Sequence, residues 1–265
     1  MADTYRIATF NTELARDGPG LLLRDIARGG DDQIEAVLAV LAAADADIVA
    51  LQSFDFDLTG EALTRFAALA GYDHHFALRP NTGMATGLDM DGDRLLGGPR
   101  DAQGYGRFTG HGGMAVLSRY PIRADAAQDF SALLWEDIPG ALLPEVQGDP
   151  IPSAEARAAQ RLSTTGHWLV TIDLPEGPLH LMTFHASPPV FDGPEDRNGR
   201  RNHDELRLWQ MILDGAFGPA HAAPFVLAGD ANLDPEDGQG RTAALTALLS
   251  DPRLQATAPP GFSGT

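Results

Sequence analysis

Short apolar runs that stop abruptly at a carboxylate, carboxamide or imidazole recur along this chain, and they constrain its fold more than any other feature. The sharpest is VLAGDANLDP, residues 226–235, where Val226, Leu227, Ala228 and Gly229 lead straight into Asp230 and, two positions on, Asn232. Such a run reads as a buried strand, and polar groups just past its last ladder bond point into a crevice rather than a core. YRIATFN (5–11) ends the same way at Asn11, ADIVALQ (46–52) at Gln52, and GPLHLMTFHA (177–186) at His185.

Between these runs the period lengthens to that of a helix. Ile34, Val37, Leu38 and Leu41 share one face over 31–44, with Asp31 or Asp32 as N-cap. Leu63, Phe66 and Leu69 do so over 59–70, and Leu206, Trp209, Ile212 and Leu213 over 202–215. Further strands are expected at 72–78, at 113–120 before Pro121, and at 166–174, the last joined to 177–186 through Pro175 to Pro178 as a hairpin. Residues 79–113 and 135–161 lack either period; an irregular stretch this long inside a compact domain is usually functional or disordered. With no linker and no internal repeat, the pattern predicts one α/β domain over 1–265, its sheets largely buried and its helices outside.

A chain of 265 residues that is 43% apolar can bury a sizeable core. Its formal net charge of −18 repels polyanions, so compact phosphorylated substrates suit it better than nucleic acid. The absence of cysteine excludes disulfides, thiolate metal sites and a cysteine nucleophile. No apolar run approaches the roughly 18 residues that span a bilayer, so no membrane partner is expected, and a monomer is. The N-terminus shows no leader, which implies the cytoplasm, or the periplasm or exterior if a leader has been removed.

Oxygen donors at several strand ends, without thiols, favour a hard cation such as Mg²⁺, Mn²⁺ or Ca²⁺, which would polarise a phosphoryl oxygen. Asp89, Asp91 and Asp93 alternate around Gly92 as in the first half of a calcium-binding loop. Position twelve is Arg100, which excludes a full EF-hand, and Asp101 comes one residue late; a structural Ca²⁺ or an acidic surface turn are the two readings. Arg197, Asn198, Arg200, Arg201 and His203 form the one basic cluster, either a clamp on phosphate oxygens or a solvated loop paired with neighbouring acids. Tyr105 and Arg107 reach substrate from the central loop or pin that loop down. His74, His75, His167, His180 and His221 lack supporting context and read as surface or packing residues.

IATFN, ADIVALQ, GGMAVLSRYPI, LMTFHA and VLAGDANLDP, in that order, resemble the endonuclease/exonuclease/phosphatase superfamily over about Arg6 to Pro235. The run FDGPEDRNGRRNHDE is similar to a bacterial subgroup of it. The resemblance implies the deoxyribonuclease I fold, a four-layered α/β sandwich of two mixed β-sheets packed face to face between helices. It also implies metal-dependent cleavage of phosphodiesters or phosphomonoesters. Asn11 would then belong to the metal site, and His185 would contact the scissile phosphate or act as acid. Asp230 would orient or activate water, and Asn232 would bind phosphate or metal.

Two departures stand out. Where the superfamily has Leu-Gln-Glu, with the glutamate a principal metal ligand, this chain has Leu51, Gln52 and Ser53. Asp55 and Asp57 share the side-chain parity of Ser53 if the strand continues, and Asp55 is the expected substitute. The superfamily also ends on a strand and a Ser-Asp-His motif, whereas this sequence stops at LQATAPPGFSGT without either. The expectation is a fragment whose last strands lie beyond Thr265; otherwise His111 or His203 deputises or catalysis is impaired. A metal-dependent phosphoesterase acting on a small molecule is therefore the first reading. An impaired family member acting as a binding protein, and a nuclease on DNA or RNA, are the alternatives.

Overall fold

The computed structural model describes residues 4–191, 193–218, 224–237 and 239–255. Four strands form the first sheet in the order β1-β2-β4-β3: β1 (Ile7–Leu14), β2 (Ile48–Phe54), β3 (His74–Phe76) and β4 (Gly113–Ser118). Only β1 and β2 run parallel there. After β5 (Ile122–Asp129), a short hairpin is made by β6 (Glu145–Val146) and β7 (Asp149–Pro150). The second sheet runs β10-β9-β8-β5, with β8 (Gly166–Leu174), β9 (Gly177–His185) and β10 (Phe225–Leu227). The hairpin expected between β8 and β9 is present, in antiparallel register from Gly166↔His185 to Leu174↔Gly177.

The alternation of side chains along each strand explains how the layers assemble. Val49, Leu51, Ala115 and Leu117 point to one face and pack with helices α1 (Leu21–Arg28), α2 (Asp32–Ala44) and α3 (Glu61–Ala70). Their neighbours Ile48, Ala50, Met114 and Val116 point the other way and meet Trp168, Val170, Ile172, Leu179 and Leu181 of the second sheet. On the far side of that sheet Leu169, Met182 and Phe184 pack on α5 (Arg197–Leu213) and α6 (Ala243–Leu249). The fold is the expected four-layered sandwich of two packed mixed sheets flanked by helices.

Several elements escaped the sequence, the short β6–β7 hairpin among them. Helix α1, α4 (Ala154–Ala159) and α6 have eight, six and seven residues, too few to display a period. Strand β5 is mostly exposed and polar; pairing with β8 defines it, with a register break between Arg123 and Gln128. Helix α2 starts as expected, the Asp31 side chain accepting the Ile34 N–H at 2.9 Å. Helix α5 begins at Arg197 rather than Asn202, after Asp196 turns left-handed at φ 52°, and so takes the basic cluster into its first turns. The coil at the C-terminus lies, from Ala256 onward, outside the described residues, as does His221.

Candidate functional site

The period-two rule that builds the inter-sheet core also aims the polar residues at its end. Asn11 shares strand parity with Ile7, His185 with Leu179 and Leu181, and Asp230 with Val226 and Ala228; all of these apolar residues face the space between the sheets. The three polar groups therefore continue that layer past the last apolar rung, and they meet. Asn11 Nδ2 donates to Asp230 Oδ2 at 2.9 Å, and His185 Nε2 lies 3.8 Å from the same oxygen. His185, the last residue of β9, and Asp230, beyond β10, form a parallel bridge in which the Asp230 N–H donates to Phe184 O at 3.0 Å and the Ala186 N–H to Asp230 O at 2.9 Å. Gly229 is required for this approach, since a Cβ there would sit 2.4 Å from Phe184 O. Asn232, left-handed at φ 48°, gives its backbone N–H to Asp230 Oδ1 and its Nδ2 to Ala186 O, leaving its carboxamide oxygen to offer a ligand.

Beneath the group lie Thr9 and Gln52, hydrogen-bonded at 3.2 Å, so the core turns polar one layer below the site. Burial holds the His185 imidazole below its usual range, partly opposed by the Asp230 carboxylate. Its Nδ1 is buried without a hydrogen-bond partner among the described residues, a condition native proteins seldom leave unexplained. Above the group opens a cleft of about 1050 Å³ whose lining includes Ser53, Tyr105, His111, His185, Arg197 and Asn232.

Other expected site residues have different duties. Asp55 shares the side-chain parity of Ser53 only along an unbroken pleat, but the β2–β4 ladder shifts register between Gln52 and Phe54, and Ser53 sits left-handed at φ 55°. The extra residue turns the next side chains to the opposite face, so Phe54 joins Leu51 against the helices. Asp55 is 5% exposed, and its carboxylate accepts the Arg16 and Gly112 N–H groups at 2.8 Å each, tying two loops together. Burial raises its pKa, and these two bonds oppose the rise. Asp57 accepts the N–H groups of Thr59, Glu61 and Ala62 and so caps the start of α3.

The basic cluster binds main-chain carbonyls. Arg201, 5% exposed, donates to the carbonyl oxygens of Gln103, Arg161, Leu162 and Ser163. Arg197 donates to Met90 O and Gln160 Oε1, although both arginines border the cleft. His203 is absent from the cleft lining and pairs at 3.0 Å with buried Asp204, which also accepts from Trp135 and the Leu142 N–H. Arg107 pairs with Asp17 on the surface, and Tyr105 stands 56% exposed at the cleft rim.

Asp89, Asp91 and Asp101 bring ligand oxygens within 4.8 Å of one another. Asp101 takes the Met90 and Gly98 N–H groups and Asp89 those of Gly92 and Arg94, so turn geometry already accounts for their approach. Asp93 stands apart from the group and instead accepts the Leu95 N–H.

The sequence reading overlooked Asn202 and Glu205. Both are fully buried on α5: Asn202 donates to Ser187 O and Ala231 O, and Glu205 accepts the Thr164 and Ser187 N–H groups at 2.6 and 2.7 Å. With Arg201 they fasten loops of the second sheet that border the site. The available signal was polar Arg201 and Glu205, four apart on the same helix face as Leu208 and Trp209. His167 is a core residue, held by Ser163 Oγ and Glu205 O.

Among solved structures, sphingomyelinase C from Streptomyces griseocarneus is 19% identical with a TM-score of 0.50, over 94% of this chain and 70% of that one. A beta toxin from Staphylococcus aureus with bound magnesium ions is 10% identical with a TM-score of 0.50, over 93% of this chain and 69% of that one. An endonuclease/exonuclease/phosphatase from Beutenbergia cavernae is 20% identical with a TM-score of 0.48, over 86% of this chain but only 47% of that one. This chain thus spans about half the length of that protein. A search of curated proteins finds no match. The family model for the endonuclease/exonuclease/phosphatase family matches residues 8–265, and with two face-to-face sheets meeting in a polar cleft, the chain belongs to that family.

Proposed function

We propose that this chain hydrolyses phosphoesters with the help of a divalent cation, and that its substrate is a small molecule. The observation that carries the proposal is the convergence on Asp230 of Asn11 at 2.9 Å and His185 at 3.8 Å, from both sheets, with His185 lining an open cleft. Asn11, Asp230 and Asn232 make an all-oxygen donor set with one carboxylate, which fits a cation such as Mg²⁺ that keeps several waters. Bound there, it would polarise a phosphoryl oxygen and offset developing negative charge. Asp230 orients the attacking water and accepts its proton, while Asn11 and the Asn232 N–H fix that carboxylate. His185 stabilises the phosphoryl oxygens, and the buried, partnerless Nδ1 is consistent with a ring poised for a ligand. A net charge of −18 favours a compact phosphate ester over a polynucleotide. That the beta toxin of similar fold holds magnesium ions supports the choice of cation.

The test is hydrolysis of bis-p-nitrophenyl phosphate and p-nitrophenyl phosphate with Mg²⁺, Mn²⁺ or Ca²⁺, against EDTA. Turnover that EDTA removes and Mg²⁺ or Mn²⁺ restores is the expected result. Absence of turnover with every metal would leave the binding-protein reading, which the serine at position 53 favours, in its place.

A further inference from the structure

Displacement at phosphorus has a geometric requirement that Asp230 and His185 meet on one side only. Attacking and leaving oxygens lie in line on opposite faces of the phosphorus, so one residue cannot serve both. His185 lines the cleft from the end of the second sheet, and Asp230 bridges to it from beyond β10. A group that serves the leaving oxygen therefore has to come from the first sheet's side.

His111 is on that side. It lies just before β4 and lines the same cleft as Ser53, His185 and Asn232. Its imidazole makes no hydrogen bond that ties it to another side chain among the described residues, and its ring rests at 5.2 Å against that of Phe108. The backbone on either side is locked. The Phe56 N–H donates to Gly110 O at 2.8 Å, the Gly112 N–H donates to Asp55, and the His111 N–H donates to Phe108 O. Gly110 and Gly112 are left-handed at φ 97° and 55°, and a Cβ on Gly110 would meet Phe56 O at 2.5 Å. A rigid loop thus presents an imidazole to the cleft with the Asp55 carboxylate as a nearby charge, a setting in which proton transfer can occur. Other histidines are engaged elsewhere: His75 with Thr64, His167 in the core, His180 with Thr171 and His203 with Asp204.

We infer that His111 is the leaving-group acid, a catalytic residue that lines the same cleft as His185. The inference rests on the phosphoesterase reading above. In the step, the water oxygen bonds to phosphorus as the bond to the leaving oxygen breaks. The water proton passes to Asp230, the imidazolium form of His111 gives one N–H proton to the leaving oxygen and is left as neutral imidazole, and solvent returns that proton through the open cleft.

The experiment compares wild type, His111→Asn and His111→Gln on bis-p-nitrophenyl phosphate, whose leaving group departs readily as an anion, and on diphenyl phosphate, whose phenolate needs a proton. Both variants should lose about 10²- to 10⁴-fold in kcat on diphenyl phosphate and less than about 10-fold on the nitrophenyl ester. Equal losses on both esters, or none, overturn the inference and leave the phosphoesterase reading standing. A wild type that cleaves neither ester overturns the reading and the inference with it. Because a variant can fail to fold, imidazole NMR signals of the wild type are also followed as inorganic phosphate is added. The His111 signals should move with those of His185 while those of buried His167 stay fixed; stationary His111 signals overturn the inference.

Discussion

His185 and Asp230 sit 3.8 Å apart in a pocket where the two residues are 15% and 24% exposed by side chain, so their interaction is only partly screened. Removing the carboxylate with Asp230→Ala should cut turnover of bis-p-nitrophenyl phosphate about 10²- to 10⁴-fold, with circular dichroism and unfolding midpoint little changed. A second consequence at this scale concerns stability. Burial pushes the Glu205 carboxyl up to about 7, against the pull of Arg201 and two N–H donors, and pushes the adjacent His167 down to about 4. As pH falls from about 7 to 4.5, the folded state binds a proton on Glu205 that the unfolded chain does not, and stability rises. Over about 6.5 to 4 the unfolded chain protonates histidine while folded His167 resists, and stability falls. The two trends oppose each other in the wild type. Glu205→Gln should unmask the histidine, so that between pH 6.5 and 4.5 the variant loses about 2 kcal/mol more than wild type in urea unfolding. Both residues were legible as types in the sequence; their burial was not.

Helix α5 shows why a cluster of arginines in sequence is weak testimony for phosphate binding. Its first turns were legible as basic, but the helix starts at Arg197, which turns Arg201, Asn202 and Glu205 inward onto the loops behind the cleft. Arg201→Met would leave four carbonyls without their donor and Glu205 without its cation, at a cost of about 3–5 kcal/mol. Arg107→Ala removes an exposed pair with Asp17 and should stay within about 1 kcal/mol of wild type in the same thermal or urea unfolding. Beyond β10, Gly229→Ala would force the backbone away from Phe184 and carry Asp230 with it. Both unfolding midpoint and turnover should fall there, whereas Asp230→Ala lowers turnover alone. The bulge at Ser53 is the other element-level event: by inserting one residue it undoes the face-sharing that pointed to Asp55.

For the molecule as a whole, the sandwich gathers its polar catalytic candidates at one end of the inter-sheet layer. With a net charge of −18, fluorescence anisotropy should find duplex DNA binding no tighter than about 10⁻⁴ M at physiological salt; tighter, salt-sensitive binding would favour the nuclease reading instead. The sequence by itself determined an α/β domain with buried strands and outer helices, because period two and the helical period are local properties of neighbouring residues; the division of the strands into two packed sheets was implied by the family resemblance. It also determined that His185 ends its strand and that Asp230 follows one, since an apolar run that stops at a polar residue is visible without any partner; β1, by contrast, runs on past Asn11 to Leu14. What only the tertiary structure decided is which polar residues share a space. Asp55 and His203 carry the same chemistry as the residues of the cleft but turn to other partners, and Arg201, at the cleft border, gives its guanidinium to main-chain carbonyls; a one-residue bulge and the starting point of one helix decide this. A shift of a single position reverses the direction of a side chain while leaving the composition of the segment untouched, so no count of residue types could have recorded it.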